Sequence, residues 1–136
     1  MKTSPKSGSR RISAVTIVVP DYDQAIAFFC DVLQFALIED KALSDAKRWV
    51  LVAPDPNSET RFLLAKAVGP EQKAAIGNQT GGRVGFFLQT SDFDADYAQF
   101  LAAGLEFREA PRSEAYGKVA VFADPWGNTW DLIEFT

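Results

Sequence analysis

An internal repeat constrains the fold of this chain more than any other feature. Residues 21–25 (Asp-Tyr-Asp-Gln-Ala) are matched about 71 residues later by residues 92–96 (Asp-Phe-Asp-Ala-Asp). Phe29 then corresponds to Phe100, and each leading aspartate follows an apolar run. A repeat of this length indicates two copies of one structural unit.

The correspondence continues in the same order along both copies. With small shifts, residues 48–53 match residues 118–123, and residues 63–64 match residues 131–132. Each copy contains one helical pattern among four strand patterns, which gives the order β-α-β-β-β twice. One helix covers only one face of such a sheet. We therefore expect two modules that cover each other and leave a cleft between curved sheets, a typical place for a ligand.

Local signals give the elements of each module. Residues 12–19 are rich in β-branched side chains and predict a strand, which Pro20 ends. Asp21 is a typical N-cap with Gln24 in capping-box position, and residues 22–33 follow with helical spacing. Asp92 predicts a second capped helix. Further strands are predicted at 35–38, 48–53, 61–65, 83–89, 105–107, 118–123 and 129–135, with a short helix within 68–77.

The last two strands flank a tight turn at residues 124–128 (Asp-Pro-Trp-Gly-Asn). Asp and Pro open the turn, and Gly127 and Asn128 are residue types that tolerate positive φ, so a hairpin is predicted. Asp131 lies inside the final strand, where an acidic residue is disfavoured. Its carboxylate therefore either faces water or points inward and takes part in chemistry.

Composition excludes several classes of protein. The 136 residues suit one domain, and a net charge of -4 argues against a nucleic-acid partner. No apolar run is long enough to cross a membrane. The chain has no histidine, which excludes the usual serine and cysteine nucleophile systems and removes the commonest transition-metal ligand. Cys30 is the single cysteine, so no disulfide is predicted. Residues 1–11 are interpreted as a disordered tail of a cytoplasmic protein.

Three segments resemble the vicinal oxygen chelate superfamily, which includes glyoxalase I, bleomycin-resistance proteins and extradiol dioxygenases. They are residues 18–29 (Val-Val-Pro-Asp-Tyr-Asp-Gln-Ala-Ile-Ala-Phe-Phe), 102–107 (Ala-Ala-Gly-Leu-Glu-Phe) and 122–133 (Phe-Ala-Asp-Pro-Trp-Gly-Asn-Thr-Trp-Asp-Leu-Ile). The resemblance implies an α+β fold with two paired βαβββ modules forming curved mixed sheets around a cleft. It implies a single domain over 12–136, with modules at about 12–77 and 83–136, and a homodimer.

Metal-dependent members of that superfamily take one ligand from each of four strands. The resemblance places these positions at Ala14, Leu63, Gly85 and Asp131. The first three side chains cannot coordinate an ion, and one carboxylate is too few for a catalytic divalent metal. We therefore expect neither a metal nor another cofactor.

Alternation along the strands extends this set of cleft positions, and Trp49 and Trp130 are expected on neighbouring strands. The predicted ligand-binding residues are Thr16, Trp49, Leu63, Phe87, Gln89, Tyr116 and Asp131. The alternative is that they fill the core between the modules. Asp131 is then solvated or bonded to a cation such as Arg61, and Tyr116 belongs to a simple turn instead of a flap.

Three functional hypotheses follow. The first is a metal-free protein that binds a small hydrophobic or aromatic molecule, with the acidic chain favouring a cationic one. The second is a lyase, isomerase or dioxygenase that uses Asp131 as an acid, a base or a metal ligand. The third is a scaffold whose modules only pack and dimerise.

Overall fold

The protein is described by a computed structural model that covers residues 8–136. Most of the predicted tail (residues 1–11) lies outside the described residues, and residues 8–11 are exposed and lack regular structure. None of the described helices is long and apolar enough to cross a bilayer.

The first half of the chain forms one sheet with its helix. Its elements in order are β1 (Ala14–Val19), α1 (Tyr22–Ile26), a π-helical continuation of α1 (Ala27–Val32), β2 (Ala36–Ala42), β3 (Arg48–Ala53) and β4 (Arg61–Lys66). The strand order is β1-β4-β3-β2, with β1 parallel to β4 and the other pairs antiparallel.

The second half repeats this arrangement. After α2 (Gly69–Ala75) the elements are β5 (Val84–Gln89), α3 (Phe93–Ala102), β6 (Glu106–Phe107), β7 (Arg112–Glu114), β8 (Gly117–Ala123) and β9 (Thr129–Phe135). The strand order is β5-β9-β8-β6, with β5 parallel to β9, and β7 pairs with β8. The predicted α+β class with two βαβββ modules is confirmed, whereas β7 was not predicted.

The two module helices begin with the same hydrogen bond. The Gln24 backbone N–H donates to Asp21 Oδ2 at 2.9 Å, and the Ala95 backbone N–H donates to Asp92 Oδ1 at 3.2 Å. Each aspartate therefore satisfies a donor that the first helical turn leaves free. The predicted caps are confirmed, and they start α1 and α3 at equivalent points of the two modules.

Each sheet has an inner face, which carries the helices, and an outer face. The two inner faces pack against each other in one shared core. Phe62 on β4 lies with its ring centroid 5.3 Å from that of Phe86 on β5, and Phe29 on the helix lies 5.9 Å from Trp130 on β9. Trp130 is 1% exposed. The expectation that Trp130 neighbours Trp49 is therefore wrong, because β9 and β3 belong to different sheets and Trp130 points into the core.

The turn before β9 is organised by the buried carboxylate of Asp124, which accepts five hydrogen bonds. Its donors are the backbone N–H groups of Trp126, Gly127 and Asn128, the Asn128 side-chain amide and the Trp130 indole N–H. Gly127 has a φ of 115°, as predicted, but Asn128 does not have a positive φ. Asn128 instead bonds Asp124 and accepts from the Gln79 backbone N–H.

The segment between the modules is held against this turn and against β1. Gly77 has a φ of 72°, and a Cβ atom there would lie 1.7 Å from the Trp126 carbonyl oxygen, so only glycine fits. The Gln79 side chain then accepts from the Val18 backbone N–H and donates to the Thr16 carbonyl. One side-chain amide thus occupies part of the free edge of β1.

Candidate functional site

The outer face of the first sheet carries three of the predicted ligand-binding residues. Thr16 on β1 lies opposite Leu63 on β4, which lies opposite Leu51 on β3. Trp49 is two residues from Leu51 and shares its side of the strand. Thr16 and Trp49 are exposed and Leu63 is half-buried, so a partner or ligand can reach all three.

A groove of about 480 Å³ opens beside these residues. It lies where β3 and β4 diverge, beyond their pairing at Leu51 and Leu63. Its lining is mainly apolar and includes Leu43 from the β2–β3 hairpin and Val68 next to α2. The other lining residues are Trp49, Leu63, Leu64, Ala46 and Ala65, together with Tyr22, Gln72, Lys47, Arg48 and Lys66. The sequence analysis missed Leu43 and Val68. The available signal was a large apolar residue in a connection between two elements. In the structure Leu43 is 51% exposed and Val68 is 73% exposed.

The groove carries positive charge, although the whole chain has a net charge of -4. Arg48 is held by Asp23 at 2.9 Å and by Asp40 at 2.7 Å, so its charge is largely neutralised. Lys47 and Lys66 add positive charge to the groove. The groove therefore suits a neutral or anionic molecule as well as the cationic one that a net charge of -4 favours.

The outer face of the second sheet carries the other predicted strand residues. Phe87 on β5 lies opposite Asp131 on β9, and Gln89 lies opposite Ile133. Phe87 is 66% exposed. Tyr116 lies in the short turn between β7 and β8 and is also exposed. This face offers a solvent-exposed aromatic ring directly beside a carboxylate.

Within one chain these two sets of residues do not meet. The inner faces pack together, so the outer faces of the two sheets point away from each other. A pocket of about 390 Å³ between the sheets is lined by Phe62, Phe86 and Trp130, and Phe87 is the one predicted ligand-binding residue that borders it. The predicted set is therefore split into two half-sites, three residues on the first sheet and four on the second.

Asp131 is the chemically unusual residue of the second half-site. Its Oδ1 atom is buried and has no hydrogen-bond partner. Burial raises the pKa of the Asp131 carboxyl, nearby Arg112 opposes that effect, and Glu109 adds to it. The Arg112 guanidinium is already engaged by Glu109 at 2.6 Å and Glu114 at 2.9 Å. Asp131 therefore lacks a dedicated cation within its own sheet.

The residues at the positions that the resemblance assigns to metal ligands do not fit a metal ion. Ala14 and Leu63 offer only hydrocarbon groups on the first sheet, and Asp131 is on the second. A Cβ atom on Gly85 would lie 2.7 Å from the Thr80 methyl group, so a ligating side chain there requires Thr80 to move. Within residues 8–136, no group of three or more His, Cys, Asp or Glu side chains could hold an ion.

Comparison with known proteins identifies the family. Residues 11–132 match the model of the Glyoxalase/Bleomycin resistance protein/Dioxygenase superfamily, and this chain belongs to that superfamily. An uncharacterized protein of Shewanella frigidimarina (strain NCIMB 400) is 47% identical over 121 residues, which cover 88% of this chain and 90% of that protein.

Two solved structures share the fold over nearly the whole chain. The crystal structure of UcmS2 has a TM-score of 0.79 at 30% identity and covers 93% of this chain and 98% of that one. The structure of TnmS3, an antibiotic binding protein from Streptomyces sp. CB03234, has a TM-score of 0.77 at 26% identity and covers 96% and 100%. The predicted family is confirmed.

Proposed function

We propose that this protein binds a flat aromatic or otherwise apolar small molecule, without a metal ion, in a cleft that two copies of the chain complete. The observation that carries the proposal is the composition of the outer faces. Aromatic side chains, Trp49 and Phe87, lie exposed on those faces, while three of the four family metal positions carry hydrogen, methyl or isobutyl groups. Such a surface binds by stacking and burial of apolar area.

A twofold dimer brings the half-sites together. Each chain presents the outer face of its first sheet and, pointing the other way, that of its second sheet. A twofold axis that sets the first sheet of one copy against the second sheet of the other creates two equivalent clefts. The strands β1 and β5 are edge strands of their sheets, so they can adjoin across such an interface. The Gln79 side chain already bonds the Val18 backbone N–H and the Thr16 carbonyl, so these two groups of β1 are not free to pair with another strand.

The relatives are consistent with binding as the activity. TnmS3, whose fold covers 96% of this chain, is described as an antibiotic binding protein. We propose the same kind of activity, small-molecule binding, for this chain and name no specific antibiotic as its ligand. The groove lysines Lys47 and Lys66 favour a ligand with a neutral or anionic substituent on its aromatic core.

Fluorescence titration tests the proposal. The purified chain is titrated with planar tricyclic compounds in three charge forms: neutral anthraquinone, anthraquinone-2-sulfonate and the cationic acridine orange. We expect saturable binding of at least one compound with two ligands per dimer. Trp49→Ala should weaken that binding at least about tenfold, because stacking and burial of an indole are lost.

Leu101→Ala is the matched control, since Leu101 is an apolar side chain of similar exposure on α3, away from both outer faces. It should leave the affinity unchanged. Absence of saturable binding for all three compounds, or equal affinity for Trp49→Ala and the wild-type chain, would contradict the proposal. Loss of binding on Phe86→Ala but not on Trp49→Ala would instead place the ligand in the pocket between the sheets.

A second candidate function is favoured by Asp131. A half-buried carboxylate with one unbonded buried oxygen and a raised pKa is suited to act as a general base that takes a proton from a bound substrate. Asp131→Asn should then abolish turnover of any substrate found while leaving its binding intact. Unchanged turnover would remove Asp131 from the mechanism.

A further inference from the structure

Two buried polar atoms in residues 8–136 have no hydrogen-bond partner, and they belong to groups of opposite charge. They are Nε of Arg61 on β4 and Oδ1 of Asp131 on β9. A buried donor or acceptor that leaves water without a new partner destabilises the protein, and more so when the group is charged. The isolated chain therefore leaves one cation and one anion incompletely satisfied.

Both groups lie on outer faces. Arg61 is two residues before Leu63 on β4, and Asp131 lies opposite Phe87 on β5. Since the two inner faces pack together, the chain separates Arg61 from its own Asp131 by the whole core. The neighbours of each residue offer no substitute. Ala14 lies opposite Arg61 on β1, and Arg112 near Asp131 is engaged by two glutamates.

We infer that Arg61 of one protomer and Asp131 of the other form an ion pair across the interface of a homodimer. The inference rests on the twofold arrangement proposed above and names the polar contact that fixes it. Twofold symmetry makes the contact twice, because each chain carries one of each group. Both side chains are half-buried, and Nε of Arg61 and Oδ1 of Asp131 are inaccessible in the isolated chain. The contact is therefore assigned to the terminal guanidinium nitrogens of Arg61 and to Oδ2 of Asp131, a pairing that suits a guanidinium and a carboxylate.

The second copy fits this position better than another occupant. The groups around it match those of a self-complementary interface: a half-buried cation on one face and a half-buried anion on the other, neither in an ion pair within residues 8–136, with the exposed aromatic residues Trp49 and Phe87 on the same faces. The pair would also place a neutralised polar contact at one end of an apolar ligand cleft. Ligand and interface then share one surface.

Charge reversal tests the pair in the full-length chain. Arg61→Asp gives a homodimer with two carboxylate–carboxylate contacts, and Asp131→Arg gives one with two guanidinium–guanidinium contacts. Each variant should raise the dimer dissociation constant, measured by analytical ultracentrifugation, at least about 100-fold. In an equimolar mixture of the two variants both contacts become attractive. The mixture should therefore form heterodimers with nearly the wild-type dissociation constant.

The controls change charge by the same amount at exposed sites off the outer faces. Lys73→Asp on α2 matches Arg61→Asp, and Asp31→Arg on the π-helical segment matches Asp131→Arg. Both should dimerise like the wild-type chain. If a reversal variant does not fold, Arg61→Gln and Asp131→Asn replace it in a double-mutant cycle, where the two losses should be clearly less than additive.

The outcomes separate this inference from the proposed function. A wild-type chain that stays monomeric at all accessible concentrations would overturn both the dimeric cleft and the pair. A wild-type dimer whose reversal variants also dimerise normally, or whose mixture shows no rescue, would overturn the pair alone. Additive losses in the cycle would overturn it as well.

Discussion

The inner and outer faces of the two sheets are formed by the same strands, yet the chain completes only the inner ones. On β9, Trp130 points inward and is 1% exposed, while its neighbour Asp131 points outward with an unbonded oxygen. On β5, Phe86 packs against Phe62, while Phe87 is 66% exposed. Adjacent residues therefore have different tasks. The side chains on the inner faces hold the fold together, and those on the outer faces are available for a second molecule.

Two aspartates beside and within β9, Asp124 buried and Asp131 half-buried, show the same contrast. Asp124 accepts five hydrogen bonds and holds the turn before β9. Asp131, seven residues later, keeps a buried oxygen without a partner. Buried polar groups are normally satisfied, so an exception indicates a function or a missing partner. Asp124 is explained by the fold alone, whereas Asp131 is not.

The largest predicted effect is the loss of stability when the inner-face tryptophan Trp130 is replaced, compared with the outer-face tryptophan Trp49. Trp130→Ala should destabilise the chain by about 3–5 kcal/mol, because it opens a cavity among Phe62, Phe86 and Phe122 in the shared core. Trp49→Ala should cost less than about 1 kcal/mol, since its side chain is partly exposed in the isolated chain. Urea denaturation at low protein concentration measures both. Equal losses for the two variants would contradict the division into a structural inner face and a functional outer face.

An intermediate effect is expected where the inter-module segment meets β1. Gln79→Ala removes two hydrogen bonds to the β1 backbone and should cost about 1–2 kcal/mol. Gln99→Ala on the exposed side of α3 is the control and should change stability by less than about 0.5 kcal/mol. Faster amide hydrogen exchange at Val18 in the first variant would locate the effect. An unchanged exchange rate would show that Gln79 does not protect this edge.

Much of the fold could be predicted because its signals are local. The repeated aspartate caps, the alternating strands and the Pro-Gly turn each depend on a few neighbouring residues, and the structure has all of them. β7 was missed because Arg112–Glu114 is short and polar, with none of the side chains typical of strands. The role of Asn128 was missed because its hydrogen bonds, not its backbone angle, hold the turn.

The packing of the modules was harder to predict than their topology. Alternation shows that a strand has two faces, but it does not show which face meets the other sheet. Trp130 and Asp131 are adjacent, and the sequence alone could not assign the core to one and the outer face to the other. Family membership was recognisable from motifs, whereas the split of the predicted site into two half-sites depends on long-range contacts such as that between Phe62 and Phe86.

The smallest predicted effect concerns Asp131 and has opposite signs in monomer and dimer. In the isolated chain burial raises the pKa of Asp131, so the folded state holds a proton that the unfolded state has already lost. Stability of the monomer should therefore fall as pH rises from about 4 through the raised pKa. Asp131→Asn should remove that part of the slope, and Asp31→Asn, at an exposed site, should not.

In the dimer, a guanidinium beside the carboxylate favours its charged form and lowers its pKa. Dimerisation should then strengthen as pH rises over the same range, and Asp131→Asn should flatten that dependence too. Denaturation of dilute protein and ultracentrifugation of concentrated protein, both between pH 4 and 7, measure the two slopes. A flat dimerisation slope would mean that Asp131 keeps its environment on association, and a slope of the same sign as the monomer's would mean that association buries the carboxyl further. Either result would argue against Arg61 as the partner of Asp131.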